Sequence, residues 1–245
     1  MPTTAGTGAE VTKNAVIGLP ERGRKVSLRD DRMIARIAIV DPALTDGCPR
    51  AVTLASGLDA ITQVIEPFVC TRANAYTDLI SREAIAPGLS ALMRLMQGEE
   101  SGARDALAWT SVCGGLALAN SGLGAVHGLA GVIGGITSAA HGAICGALLG
   151  PVLATNRAKA TGRARARLDH VSALIAGPLN CADAAAPQVL GDWAHDQGLP
   201  RLSTLGLAAD QHAEVAKASL AASSMKANPV PLTVEDLCAI LRMAG

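Results

Sequence analysis

The chain has 245 residues, 49% of them hydrophobic but only 2% aromatic, with 26 glycines, and its 21 Lys plus Arg balance its 21 Asp plus Glu to a formal net charge of zero. Such a composition builds a core from Ala, Val, Leu and Ile with close approaches at glycine, and its balanced charge excludes the basic footprint of a nucleic-acid binder. The six cysteines, at 48, 70, 113, 145, 181 and 238, never form CxxC and stand in a chain large enough not to need staples, so they read as reduced thiols of a cytoplasmic protein.

The amino end, residues 2–12, reads PTTAGTGAEVT. Backbone amides freed by Gly6 and Gly8, with hydroxyls from Thr3, Thr4 and Thr7, suit the lining of a phosphate or ribose, although such loops are common. Short strands are expected at 14–17, 25–28 and 36–40, separated by the turn-prone ERGR and RDDR. Asp41-Pro42 closes the last of them. No charged n-region followed by an apolar h-region opens the chain, so no secretory signal is expected.

From Pro49 onward the pattern is helical. Helices are expected at 49–69, 75–97, 102–120, 123–134, 141–156, 162–176, 183–197, 208–224 and 233–243. In the first, GLDAITQVIEP places Asp59 and Gln63 one turn apart on one face. Asp59 has Ala55, Leu58 and Ile61 around it, and a carboxylate among such neighbours requires a cation, a salt bridge or strong donors. Glu66 shares the face but precedes Pro67, which places it at a helix end near solvent.

Between Asp105 and Arg157 there is no Asp, Glu, Lys or Arg. By hydropathy alone this run could hold two membrane spans of about 20 residues each. Its eleven glycines, two histidines and two asparagines, and the lack of a flanking aromatic beyond Trp109, instead favour buried helices of a protein outside the membrane. His127 and His141 are its only imidazoles, fourteen residues apart with Gly134-Gly135 between them, a spacing that permits a helix, a reversal and a second helix beginning near His141. Either histidine alone reads more readily as a hydrogen-bonded core residue than as a ligand. Together with Asp59 and Gln63 they make a carboxylate, an amide and two imidazoles, a donor set suited to Fe(II), Zn or Mn. At a helix start, His141 would meet the positive end of the helix, which favours the neutral form a metal needs. The basic cluster at 157–170 spaces its later arginines two apart, around a helix and not along one face, and reads as solvated surface. Thr233 and Asp236 read as a capping box for the last helix.

Taken in order, PTTAGTGAEVT, IVDPAL, GLDAITQVIEP, GAVHGLAGVIGG with AAHGAICGALL, and ASSMKANPVPLT resemble the iron-containing alcohol dehydrogenase family over almost the whole chain. The resemblance implies an α/β nucleotide-binding domain followed by an all-helical domain, with the active site in the cleft between them. For this chain it implies a mainly α fold: a helical metal and substrate domain at 49–245, and at 1–48 a β-containing remnant of the nucleotide domain. It implies Asp59, His127 and His141 as metal ligands, with Gln63 where the family carries a histidine. Gly131 stands where a further family histidine lies near nicotinamide and substrate. Thr3 and Thr4 correspond to residues near the nicotinamide and ribose, Gly6 and Thr7 lie in the same loop, and Lys25 corresponds to a lysine that reaches the cofactor sugar.

The implied activity is NAD- or NADP-dependent hydride transfer between a nicotinamide and a small alcohol or aldehyde, with Fe(II) or Zn polarising the substrate oxygen and no catalytic residue beyond the metal site. A homodimer without nucleic-acid or membrane partners is expected. Because an amide binds softer divalent metals less well than imidazole, a metal-independent reductase like the maleylacetate reductases is the alternative within enzymes. An inactive helical dimerisation fragment, lacking the pyrophosphate loop, is the alternative outside them.

Overall fold

The computed structural model describes residues 1–245, apart from the side chains of Pro20 and Arg24. A hairpin of β1 (Asn14–Leu19) and β2 (Arg24–Arg29) precedes nine α-helices: α1 (Arg50–Val69), α2 (Ala75–Gln97), α3 (Ser101–Asn120), α4 (Ala125–Ile136), α5 (His141–Lys159), α6 (Gly162–Leu179), α7 (Ala186–Asp196), α8 (His212–Leu220) and α9 (Val234–Ala244). The chain is thus mainly α with a small β element in front, as the sequence predicts.

The two strands pair antiparallel from Asn14 opposite Arg29 to Leu19 opposite Arg24. The third expected strand, 36–40, does not form: residues 35–40 make no backbone-to-backbone hydrogen bond among the described residues, and Ile37 is 80% exposed. A strand is stable only beside a ladder partner, and none lies alongside this apolar run. The hairpin also leaves Val16, Ile17 and Leu28 exposed, while β2 leans on α4.

Helix α1 is the axis of the helical body, packed against α2, α3, α5 and α6. Every residue from Gly57 to Val69 is buried. Leu58, Ile61 and Ile65 of α1 meet Ile85, Leu89 and Leu92 of α2 and Ile144 and Leu148 of α5 in one aliphatic core, and burying each such side chain contributes about 1.5–3 kcal/mol. The charge-free run of the sequence forms most of α3, all of α4 and most of α5, and α3 and α4 meet at 97°. Among the described residues no single helix is long and apolar enough to cross a membrane.

Two sequence expectations meet different outcomes here. The helix predicted over 208–224 is shorter, because a 3-10 turn at Ala209–Gln211 precedes α8 and the chain leaves the helix at Ala221, ahead of Ser223-Ser224, residues whose hydroxyls compete for backbone partners. The capping box at the last helix forms as expected, with the Asp236 amide donating to Thr233 Oγ1.

The basic cluster is also more than solvated surface. Arg157 and Arg165 both pair with Asp169. Arg167 binds Asp78 of α2 and the Phe68 carbonyl of α1, and its guanidinium lies 4.2 Å from the centre of the Phe68 ring. One partly buried side chain therefore ties α6 to both α1 and α2. Arg167→Ala removes a charge-assisted pair, a hydrogen bond to backbone and a cation–π contact together, and we expect a loss of about 2–4 kcal/mol in urea denaturation. A change below about 0.5 kcal/mol would show that this tie is solvent-screened.

Candidate metal centre

Three helices converge at one buried point. Asp59 comes from the middle of α1, His127 from the first turn of α4, and His141 and Cys145 from the first two turns of α5; one donor atom from each lies within 4.8 Å of the others. The close approach of α5 to α1 depends on Gly142, where a Cβ would stand 2.3 Å from the Ala55 carbonyl oxygen. The residue after His141 thus lets its helix start directly on the backbone of α1, about one turn before Asp59.

Helix α4 is positioned by polar groups buried in the core. The Glu66 carboxylate accepts from the Val126 amide at 2.7 Å through Oε1, and its Oε2 lies 2.7 Å from His127 Nδ1. A carboxylate at the first turn of a helix also faces the helix's positive end. Glu66, expected at the helix end near solvent, does lie in the last turn of α1 but is 4% exposed, because the start of α4 packs onto its carboxylate. The Ala125 amide donates at 3.1 Å to Asn228 Oδ1, and Asn228 exchanges hydrogen bonds with Asn156 at 2.8 and 3.1 Å. Asn228→Ala leaves the Ala125 amide and the Asn156 side chain without these partners. We expect about 2–4 kcal/mol of destabilisation by chemical denaturation; an unchanged midpoint would mean that this network does not hold α4.

The electrostatics of the group call for a cation. Burial opposes a charge on His127, but Asp59 and Glu66 face its two ring nitrogens and push its pKa up from 6.5 to about 10. Burial also acts against the Asp59 carboxylate, yet His127 and His141 together hold it below the ordinary value. His141 is lowered, first by its burial, against the pull of Asp59; the neutral form is favoured as expected, with burial the main cause. Burial, and then the two carboxylates, keep the Cys145 thiol well above its usual range. Two buried carboxylates therefore share one place for positive charge, and either a proton on His127 or a metal ion fills it.

The donor atoms fit a metal. Asp59 Oδ1 and His127 Nε2 are buried without a hydrogen-bond partner and lie 3.4 Å apart. Orphaned polar atoms of this kind are rare in folded interiors. With Glu66 on Nδ1, His127 turns Nε2 inward, the carboxylate–histidine arrangement that orients and strengthens metal-ligating imidazoles.

Of the residues predicted from sequence, Asp59, His127 and His141 come together. The Gln63 side-chain Nε2 donates to the Thr7 carbonyl and so helps hold the amino-terminal loop on α1. That loop is fixed a second time where the Gly8 amide donates to Ser111 Oγ at 3.1 Å. Gly8 has φ +58°, and a Cβ there would stand 2.3 Å from the Ser111 carbonyl oxygen, so only glycine fits. Thr4, Gly6 and Thr7 line a cavity of about 560 Å³ that reaches Asp59 and Gly142. Thr3 is exposed and does not line it. Lys25 extends from β2 so that its Nζ lies 3.0 Å from where a Cβ of Gly134 would stand, and its charge adds to the lowering of the His141 pKa. Gly131 borders open space, and a Cβ there would meet nothing within 4 Å.

Sequence reasoning missed Cys145, Asn156 and Asn228, and placed Glu66 near solvent. Cys145 had a signal in its i,i+4 spacing from His141, and Glu66 had one in its i,i+7 spacing from Asp59. The asparagine pair joins residues 72 apart in sequence and has no local signature.

Residues 53–245 match the Fe-containing alcohol dehydrogenase family, C-terminal, and residues 1–42 match iron-containing alcohol dehydrogenase. The chain is 32% identical over 247 residues to a lactaldehyde reductase of Escherichia coli, covering all of this chain and 64% of the relative. It is 31% identical to an NAD-dependent methanol dehydrogenase of Bacillus methanolicus, over 99% of this chain and 64% of the relative. A solved 1,3-propanediol oxidoreductase superposes with a TM-score of 0.87 at 28% identity, over 99% of this chain and 64% of that one. A maleylacetate reductase from Agrobacterium tumefaciens superposes with a TM-score of 0.84 at 26% identity, over 99% and 65%. The chain thus spans just under two thirds of the length of these relatives, and it belongs to the iron-containing alcohol dehydrogenase family.

Proposed function

We propose that this chain carries the metal and substrate half of a nicotinamide-dependent oxidoreductase that interconverts a small polar alcohol and its aldehyde. The observation that carries this reading is the unpartnered pair of Asp59 Oδ1 and His127 Nε2, facing each other beside His141 at the end of a cavity lined by the Thr4–Thr7 loop. Asp59, His127 and His141 would hold a divalent metal. Such an ion supplies Lewis acidity, lowering the pKa of an alcohol so that its carbon can release hydride to a nicotinamide. With a metal in place of the second imidazole proton, Glu66 would keep the remaining His127 proton on Nδ1 and Nε2 would offer its lone pair. Leu199, Ala55 and Ala143 give the cavity an apolar wall, and Thr4, Thr7 and Ser56 give it hydroxyls, a balance that suits a short polar substrate. The relatives named for lactaldehyde, methanol and 1,3-propanediol support that substrate class.

On this reading residues 1–48 belong to a nucleotide-binding domain and 49–245 form the helical domain. The exposed Val16, Ile17 and Leu28 of the hairpin support a surface that is covered when that domain is complete. A homodimer in the cytoplasm completes the reading. A second reading, a metal-independent reductase like the maleylacetate reductases, draws on the engagement of Gln63 by the Thr7 carbonyl.

The test is NADH binding by calorimetry and NADH consumption with lactaldehyde and other short aldehydes, before and after chelation. The metal reading expects turnover that a strong chelator removes and that His127→Ala lacks. Turnover that survives chelation would favour the second reading, and a chain that binds no NADH would contradict both.

A further inference from the structure

The family resemblance supplies three ligands and leaves the fourth position to Gln63, whose side-chain Nε2 donates to the Thr7 carbonyl in this structure. Cys145, one turn after His141 on the same face of α5, brings its Sγ within 4.8 Å of a donor atom from each of Asp59, His127 and His141. Cys145 is 0% exposed, is not in a disulfide, and has its Sγ 3.5 Å from His141 Nε2. His127 Nε2 and Asp59 Oδ1 are 3.4 Å apart. Tetrahedral zinc, with bonds of about 2.0–2.1 Å to nitrogen and oxygen and about 2.3 Å to sulfur, sets neighbouring donors about 3.4 Å apart for a nitrogen–oxygen pair and about 3.6 Å apart for a nitrogen–sulfur pair. Both separations are already present.

We propose that Cys145, in place of Gln63, is the fourth metal ligand, giving an Asp59–His127–His141–Cys145 centre whose natural ion is zinc. The assignment rests on the metal-dependent reading of the site. When the ion enters, the Cys145 S–H bond breaks, its proton passes to the buffer and the sulfur lone pair bonds to zinc; no electron is transferred. A thiolate favours zinc over a harder ion, and zinc takes this mixed tetrahedral set without redox chemistry at the sulfur. Gln63 keeps a different task, holding the loop that walls the cavity. The cavity reaches Asp59, so a further donor can approach the centre from that side.

Cobalt(II) reports the ligands directly. Titrated into the metal-free full chain, one equivalent of Co(II) is expected to give visible d–d bands of tetrahedral strength and a near-ultraviolet sulfur-to-cobalt band, both removed by zinc. Cys145→Ser should keep the visible bands and lose the near-ultraviolet one, with the zinc-over-Fe(II) preference narrowed by about tenfold or more. Gln63→Ala should retain both bands. Visible bands without a near-ultraviolet band in the wild-type chain, or a near-ultraviolet band that persists in Cys145→Ser, overturns the cysteine assignment and leaves the metal reading intact. The lack of any d–d band overturns both. If Cys145→Ser does not fold, zinc-edge X-ray absorption of the wild-type chain decides: one sulfur at about 2.3 Å supports the assignment, and a shell of nitrogen and oxygen alone refutes it.

Discussion

Asp59→Ala is expected to weaken divalent metal binding on the order of a hundredfold, measured by competition with a chromophoric chelator. Among the described residues Asp59 is the one carboxylate with an unpartnered buried oxygen, at 2% exposure. Four-ligand zinc sites bind with roughly 10–16 kcal/mol, so one donor of four is worth about 3 kcal/mol, which is about a hundredfold in affinity. The same substitution removes a buried charge, so the metal-free chain should lose little stability. The wild-type chain should therefore show a larger rise in melting temperature on adding metal than the variant does. Equal rises in the two would mean that the metal binds elsewhere.

Glu66→Ala is expected to be worse for the fold and also harmful to the site. It strips the Val126 amide and His127 Nδ1 of a shared partner, both in the interior. Removing one member of such a buried pair costs about 3–5 kcal/mol. Losing the carboxylate behind a ligating imidazole weakens metal binding about 10–100-fold. Urea denaturation and metal titration read the two effects separately. Glu66→Gln retains one acceptor oxygen for two donors and should fall between the wild type and Glu66→Ala in both. A Glu66→Gln variant as impaired as Glu66→Ala would mean that the charge at this position matters more than the hydrogen bonds.

The helical domain was legible because its signals are local and strong. Aliphatic periodicity, the Thr233 cap and the shift in pattern near Pro49 are all readable within a few residues. The strand expected at 36–40 was misplaced because Ile37 and Ile39 describe an apolar alternation without saying what lies beside it, and a strand exists only through its neighbour. Asp59, His127 and His141 could be named from family motifs and from the scarcity of charge around them. Glu66 was placed at the helix end, where it lies, but its burial was missed because nothing local to it says that α4 packs onto that end. Gln63 and Cys145 show what spacing cannot give. Both stand at i+4 from a candidate ligand, and only the packing of the amino-terminal loop and of α5 against α1 brings Gln63 Nε2 to the Thr7 carbonyl and Cys145 Sγ to the other donors.

The most direct test of the metal centre is calorimetric titration of the chelator-stripped 245-residue chain with Zn(II), paired with elemental analysis of the product. One equivalent should bind to the wild-type chain, with no comparable site in the His127→Ala/His141→Ala double variant. A wild-type chain that takes up no metal, or a double variant that binds with unchanged affinity, would contradict a metal centre at Asp59, His127 and His141.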